Sequence, residues 1–288
     1  MGFYSYRMET MKRFAAIALM MLVSHASVQG QQDTSSHTEH FVEVNGVKLQ
    51  YLDWGGQGEP LVFLTGYGAP AQVFDKLAAH FTKDFRVVAL TRRGRAPSET
   101  PASGYDLETL TSDVTGLMDA LKFQRAHLAA HSLGGAEATR LATAYPDRVA
   151  SIVYLDAALD GAAGEAVMKD APFPIPQPAP GTPYAQVQQW WTSYSPDFSK
   201  VRCPALALYA LQESPPLPPD ASDELRQRAK EYWGTRWLPM VRQVIEKFKR
   251  EAPKGRVVIL ENTSHYLFRD READVVREMK EFYASQRP

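Results

Sequence analysis

Residues 126–136 read Ala-His-Leu-Ala-Ala-His-Ser-Leu-Gly-Gly-Ala. The apolar first half is typical of a buried strand, and the segment 136–145 that follows has a helical pattern. Ser132 therefore stands at a strand-to-helix turn. Ala130 and Gly134, two positions before and after it, are small enough for the backbone to pass close by. Such a turn lifts the serine hydroxyl above the sheet, where it can act as a nucleophile.

Further apolar runs predict strands that are covered on both faces. They lie at 61–64, 87–90, 126–130, 152–155, 205–209 and 257–260, with helical patterns at 107–121, 136–145 and 271–283. Before them, the turn Asn45-Gly46 between two alternating segments predicts an antiparallel hairpin. The alternation of strand and helix predicts an α/β fold, with a mostly parallel central sheet and helices on both faces.

Two long stretches interrupt this alternation. Residues 158–200 are rich in proline and then carry Trp190, Trp191 and Tyr194. We interpret them as an inserted cap over the active-site end of the sheet, whose aromatic side chains would form an apolar wall for substrate. The alternative is a surface excursion without structure, although loops of this length are uncommon unless they are functional or disordered.

The second stretch, residues 214–256, starts with a proline-rich turn and continues as a long helical pattern. It contains the basic run Lys247, Lys249 and Arg250. The simplest interpretation of that run is a solvated helix face.

Composition limits the class of protein. The 288 residues are 44% hydrophobic and 23% charged, which suits one globular catalytic unit with a large core. The net charge of −1 gives no reason to expect nucleic acid or an anionic membrane as partner, so a small molecule fits better. Cys203 is the single cysteine, which excludes an intrachain disulfide and metal sites built from several thiolates. We expect its thiol to be buried and inert.

The first thirty residues indicate export. Lys12 and Arg13 precede the apolar stretch 14–23, and small residues follow at 24–30. This pattern predicts a signal peptide over residues 1–30 and a periplasmic or extracellular location. The apolar stretch is about half of the roughly 20 residues that span a bilayer, so we expect no stable membrane anchor. Residues 31–40 are predicted to be a flexible leader, and 41–288 the catalytic domain.

The serine segment resembles the α/β-hydrolase family, in which G-x-S-x-G marks the nucleophile; Ala130 replaces the first glycine. The Leu133 amide, at the start of the following helix, is expected to be one oxyanion donor. By the resemblance, the strand and loop at 61–68 supply the other donor, the Tyr67 amide. Thr65 stands where the family usually has histidine, which leaves that amide unaffected.

A second segment, residues 88–98, is similar to the family's D-x-R-G-x-G-x-S loop. Thr91 replaces the acid, and Ala96 replaces the second glycine. The resemblance implies a structural role for Arg93, with a solvated arginine on a turn as the alternative.

His265 follows the last predicted strand, which is where the family carries its general base. His131 adjoins the nucleophile in sequence and would be directed elsewhere, so we interpret it as a packing residue.

The acid of the triad is open between two carboxylates. Glu213 holds, by spacing from Pro204, the place of the acid in the relatives that read P-x-L-x-x-x-G-x-x-D. Asp156 follows the strand at 152–155 and resembles the acid of pancreatic-type lipases. Asp160 is a lesser candidate, and Asp156 could also be purely structural. Either carboxylate could orient the imidazole and stabilise its charged form.

A serine nucleophile with a histidine base implies acyl transfer through a covalent acyl-enzyme, without metal or organic cofactor. Hydrolysis of a small ester is the leading hypothesis. Within the family the alternatives are an aminopeptidase, a lactonase, a C–C bond hydrolase and a cofactor-free haloperoxidase. A non-catalytic ligand-binding protein on the same fold is the alternative from another class.

Overall fold

The computed structural model describes residues 37–286 with the exception of Pro174 and Pro176. The predicted signal peptide, residues 1–30, and most of the predicted leader lie outside the described residues. Within the described part, no helix is both long enough and apolar enough to cross a membrane.

Eight strands form one sheet. They are β1 (Thr38–Val44), β2 (Val47–Gly55), β3 (Glu59–Leu64), β4 (Phe85–Leu90), β5 (Ala126–His131), β6 (Val149–Leu155), β7 (Ala205–Leu211) and β8 (Gly255–Glu261). Their order across the sheet is β1-β2-β4-β3-β5-β6-β7-β8. The first two pairings are antiparallel and the others are parallel. The predicted fold class is therefore confirmed, and β1 takes in residues 38–40 of the predicted leader.

Helices connect the strands. They are α1 (Asp75–Ala79), α2 (Leu107–Ala120), α3 (Gly134–Ala144), α4 (Gly161–Met168), α5 (Pro183–Trp191), α6 (Asp223–Tyr232), α7 (Leu238–Glu251), α8 (Leu267–Asp270) and α9 (Glu272–Ala284). Short 3-10 turns lie at Ala71–Phe74, Pro146–Arg148 and Phe198–Lys200, and a π-helical turn, Trp233–Trp237, joins α6 to α7.

The core has two layers because side chains alternate along each covered strand. Val62 and Leu64 of β3 pack in the layer that includes α2, α3 and α7. Leu61 and Phe63 pack in the other layer, with α1, α8 and α9. The sheet therefore presents its edges, and the loops at its carboxyl ends, to the outside.

The two interrupting stretches contain helices. Residues 158–200 contribute α4 and α5 between β6 and β7, and residues 214–256 contribute α6, the π turn and α7 between β7 and β8. The expectation of a fully solvated basic face on α7 is wrong for Lys247. Its Nζ atom lies 3.0 Å from Asp160 Oδ2 and ties α7 to the start of α4. Lys249 and Arg250 are exposed.

Candidate active site

The turn between β5 and α3 holds Ser132 in the left-handed region, with φ of 53°. A residue with a side chain rarely adopts this conformation, and it persists only where the surroundings impose it. Those surroundings are closely packed backbones. A Cβ atom at Gly66 would lie 3.0 Å from Ser132 Cβ, and one at Gly134 would lie 2.8 Å from the Leu64 carbonyl oxygen. Ser132 thus lies on a tight left-handed turn that packs against the end of β3.

The two predicted oxyanion donors lie on either side of the elbow. Leu133 is the residue after the serine, at the amino end of α3, and Tyr67 follows Gly66, which touches Ser132. Neither amide donates a hydrogen bond to any residue that the structure describes. Both are therefore available to a substrate oxygen, and the positive end of the α3 dipole adds to their attraction.

His265 is positioned by Asp156. The imidazole Nδ1 atom lies 2.6 Å from the Asp156 Oδ2 atom, and both side chains are largely buried. The other carboxylate oxygen accepts a hydrogen bond of 3.1 Å from the Ala210 amide at the end of β7. Because Nδ1–H donates to the carboxylate, Nε2 is left as the acceptor, which is the tautomer a general base needs.

The structure does not bring Glu213, the other candidate for the acid, to His265. β7 runs on to Leu211, so Glu213 lies beyond the sheet and is exposed. Among the described residues, no hydrogen bond or ion pair joins it to His265. Asp156 has φ of 49°, which turns the chain sharply at the end of β6.

Asp160 is not part of this arrangement. Its carboxylate caps α4 by accepting from the Ala163 amide at 3.0 Å, and it also accepts from the Ser195 hydroxyl at 2.6 Å. Together with the ion pair to Lys247, these contacts give Asp160 a structural role.

His131 is a buried packing residue, as expected, and it also supports the base. Its Nε2 atom lies 3.0 Å from the His265 carbonyl oxygen, and the two rings are 4.5 Å apart. Burial lowers the pKa of His131 well below its ordinary value, and the neighbouring His265 adds to this effect. The neutral ring donates to the carbonyl and so fixes the backbone that carries His265.

A buried ion pair that sequence reasoning missed lies beneath the elbow. Arg92 Nε donates to Glu137 Oε1 at 2.8 Å, and Arg92 Nη2 donates to the Thr65 carbonyl at 3.0 Å. Glu137 is one helical turn after Leu133, and Thr65 is two residues before Tyr67. Arg92 therefore links the two elements that carry the oxyanion donors. Burial raises the pKa of Glu137 to about 7, against the attraction of Arg92.

The neighbouring Arg93 has the structural role that the resemblance implied. Its Nε and Nη2 atoms each lie 2.6 Å from an oxygen of Asp113, and both side chains are buried. This bidentate pair joins the loop after β4 to α2. The solvated alternative is wrong because the loop folds inward.

The aromatic residues predicted to form a substrate wall are largely used in packing. Trp190 donates through Nε1 to the Tyr105 carbonyl at 2.8 Å, and Trp191 and Tyr194 stack with ring centres 5.5 Å apart. With Leu133 they belong to an apolar cluster that seats α5 over the start of α3. Trp191 is buried within this cluster.

A cleft lies beside the His265–Asp156 pair. It has about 730 Å³ of empty space including its mouth, and Asp156 and His265 are among its lining residues. Trp233 and Trp237 from the π turn form another part of its wall. In the sequence, both residues belong to the helical pattern of the stretch 214–256. We refer to this space as the tryptophan cleft.

Comparisons with known proteins address the family and the fold of the chain. The sequence model of a family described as "Alpha/beta hydrolase family" matches residues 61–278. A non-heme chloroperoxidase of Streptomyces lividans is 38% identical over 116 residues, which cover 39% of this chain and 42% of that protein. A 2-(acetamidomethylene)succinate hydrolase of Mesorhizobium japonicum is 33% identical over 123 residues, 41% of this chain and 44% of that protein. The matched part thus spans less than half the length of these relatives.

Solved structures match over more of the chain. The crystal structure of E-2-(acetamidomethylene)succinate hydrolase has a TM-score of 0.64 at 19% identity, covering 86% of this chain and all of that one (100%). The enol-lactonase from Burkholderia xenovorans LB400 has a TM-score of 0.61 at 20% identity, covering 85% of this chain and 100% of that one. At these identities the similarity supports the fold alone.

Proposed function

Because this chain belongs to the α/β-hydrolase family, holds Ser132 on a left-handed turn and pairs His265 with Asp156, we propose that it is a serine hydrolase of small esters. Membership makes it an enzyme of the α/β-hydrolase superfamily; the ester substrate and the acyl-enzyme are the proposal. The observation that carries it is the 2.6 Å hydrogen bond between His265 and Asp156. That bond prepares Nε2 to take a proton from a serine.

The proposed reaction has two halves. His265 Nε2 removes the Ser132 hydroxyl proton as Oγ attacks the ester carbonyl, and the oxygen that becomes negative accepts hydrogen bonds from the amides of Tyr67 and Leu133. The imidazolium, stabilised by Asp156, then gives its proton to the leaving alkoxide, and the alcohol departs. Water attacks the acyl-enzyme with His265 again as base, which releases the acid and restores Ser132.

The test combines labelling with turnover. A fluorophosphonate should form a covalent adduct at Ser132 of the folded protein, and p-nitrophenyl esters of graded chain length should be hydrolysed. Ser132→Ala should lose the adduct and at least about 10³-fold in kcat. A folded wild-type protein that forms no adduct at Ser132 would overturn the proposal.

One second candidate, a cofactor-free haloperoxidase, is favoured by the name of the Streptomyces lividans relative. The same Ser132 acyl-enzyme would be attacked by hydrogen peroxide in place of water, which gives a peracid, and the peracid would oxidise a halide ion. Bromination of an indicator dye in acetate and peroxide would test it. Loss of both bromination and ester hydrolysis in Ser132→Ala would show one shared acyl-enzyme.

We also propose that residues 1–30 direct export of the enzyme, on the charge and hydropathy pattern of that segment. Expression with and without residues 1–30, followed by cell fractionation and sequencing of the amino terminus, tests this. Full-length protein that stays in the cytoplasm and keeps its first residues would contradict it.

A further inference from the structure

The tryptophan cleft has a rigid aromatic wall that results from the π turn. Pro239, at the second position of α7, has no amide hydrogen, and its ring would clash with the carbonyl four residues earlier, so an α-helix cannot run through it undisturbed. The chain opens into a wider turn in which the Leu238 amide donates to the Trp233 carbonyl, five residues back. Irregular turns of this kind occur frequently at functional sites.

The two indoles are fixed in a flat stack. The Trp233 and Trp237 rings lie 4.7 Å apart at 22°, and Trp233 Nε1 donates to the Gln212 carbonyl at 2.7 Å. Since Gln212 directly follows β7, this bond ties the stack to the carboxyl edge of the sheet. The aromatic face beside the triad is thus held in place before any ligand arrives.

The rest of the wall is mainly apolar. Leu159, Pro216 and Val241 contribute aliphatic surface, and the polar groups are concentrated near the triad. A mainly apolar cleft with an aromatic wall suits a flat hydrophobic group, which would be attracted by apolar burial and by contact with the indoles.

The cleft lies on the side of the general base. Its lining includes Asp156, His265 and Tyr266, but neither Ser132 nor the two predicted oxyanion donors, Tyr67 and Leu133. In an ester reaction the imidazolium must hand its proton to the leaving oxygen, so that oxygen lies within hydrogen-bond reach of His265. The alcohol substituent is then directed along the histidine side, and the carbonyl oxygen along the side of the two amides.

We propose that the tryptophan cleft is the alcohol-side subsite and that the enzyme's substrates are esters of flat aromatic alcohols. This inference rests on the proposed function. Trp233 and Trp237 set the preference for the alcohol, whereas the choice of acyl group is made elsewhere.

The experiment uses two ester series on the full enzyme. One series keeps the acetyl group and enlarges the alcohol from methanol to benzyl alcohol and 2-naphthylmethanol. The other keeps methanol and enlarges the acid from acetic to phenylacetic and 2-naphthylacetic acid. Trp237→Ala should lower kcat/KM for 2-naphthylmethyl acetate about 10- to 100-fold and change the methyl ester series by less than about threefold.

A second variant fills the cleft and so tests the inference without removing a large buried ring. Val241→Trp should lower kcat/KM for the naphthylmethyl ester at least about tenfold more than it lowers kcat/KM for methyl acetate. Trp54→Phe is the matched control: Trp54 is a buried tryptophan of β2 outside the lining of the cleft, so its replacement should leave both series unchanged. The inference would be overturned if kcat/KM fell for the series with the larger acids. It would also be overturned if neither Trp237→Ala nor Val241→Trp changed kcat/KM for the naphthylmethyl ester.

Binding to an inactive variant separates this inference from the proposed function. In Ser132→Ala, 2-naphthylmethanol should quench tryptophan fluorescence saturably, and Val241→Trp introduced into the same protein should weaken that binding at least about tenfold. Saturable, Val241-dependent binding supports the cleft even if no ester is hydrolysed. Absence of binding in Ser132→Ala would contradict the cleft even if the enzyme proves to be an esterase.

Discussion

The Asp156 carboxylate lies 2.6 Å from His265 Nδ1, although the two residues follow strands, β6 and β8, that are separated by β7. The intervening strand contributes through its backbone: the Ala210 amide donates to the second oxygen of Asp156. The imidazole and β7 thus each hold one oxygen of the same carboxylate. This arrangement fixes the acid firmly and leaves no place for a second carboxylate beside Nδ1.

Replacement of this acid should be far more damaging than replacement of Glu213. Asp156→Asn keeps the shape but cannot stabilise the imidazolium and favours the wrong histidine tautomer, so we expect kcat to fall by about 10³- to 10⁴-fold. Glu213→Gln, at an exposed position beyond β7, should stay within about twofold of wild type. Steady-state kinetics on one p-nitrophenyl ester would measure both. Equal, small losses in the two variants would contradict the assignment.

The Arg92–Glu137 pair should matter for turnover because it links the loop that carries Tyr67 to α3, which begins after Leu133. Arg92→Met removes the donor to the Thr65 carbonyl and frees the loop that carries Tyr67. We expect kcat to fall at least about 10-fold with a smaller change in KM, since the oxyanion contacts strengthen in the transition state.

Arg93→Met is the matched control for that variant. Arg93 forms an equally buried pair with Asp113, but none of its hydrogen bonds reaches the oxyanion loop. Both variants should lower the free energy of unfolding by a few kcal/mol, because each leaves a buried carboxylate without its arginine, although Asp113 keeps a hydrogen bond of 2.9 Å from the Asn45 side-chain amide. If kcat falls equally in both, the loss at Arg92 reflects stability rather than positioning.

Cys203 should have no part in the reaction. Burial raises the pKa of its thiol to about 11, so the nucleophilic thiolate is scarce at neutral pH. Cys203→Ser should retain wild-type kcat, and treatment of the folded enzyme with iodoacetamide should leave ester hydrolysis intact. Inactivation by iodoacetamide that Cys203→Ser prevents would contradict this.

The sheet could be predicted because its strands are covered on both faces and therefore appear as continuous apolar runs. The turn at Ser132 could be predicted for a similar reason. Ser132, Gly134 and the apolar strand before them lie in one short segment of sequence and form one local turn in the structure. The hairpin at Asn45-Gly46 follows the same rule, and the strands β1 and β2 pair around it.

The acid could not be chosen from the sequence because each of the two carboxylates follows a predicted strand and matches the place of the acid in a different group of relatives. The decision depends on how far β7 continues and on the left-handed backbone at Asp156, neither of which a residue pattern specifies. Arg92 and Glu137 are 45 residues apart in sequence and meet only when α3 packs beside the loop after β4. Trp233 and Trp237 fit an ordinary helix pattern, and their cleft exists only through tertiary packing.

A final prediction concerns acid stability and the far end of β5. His127 is buried, with Nδ1 2.7 Å from Ser151 Oγ and Nε2 3.0 Å from Glu59 Oε2. Burial is the largest influence and lowers the pKa of His127 below its ordinary 6.5, while Glu59 acts in the opposite direction. Below pH 6.5 the unfolded chain therefore binds more protons at this residue than the folded protein does. The contribution of neutral His127 to the free energy of unfolding is therefore fully present above that pH. It is lost as the pH falls from 6.5 towards the lowered pKa.

Urea unfolding between pH 8 and pH 5 would measure the effect, with a slope of up to about 1.4 kcal/mol per pH unit for one proton. His127→Gln should reduce the slope below pH 6.5, although part of it should remain because burial also lowers the pKa of His131. His80→Gln replaces a histidine that is 42% exposed in its side chain and paired with Glu272, and it serves as the control. If His127→Gln keeps the wild-type slope while His80→Gln reduces it, the acid sensitivity arises at the surface and the desolvation argument for His127 fails.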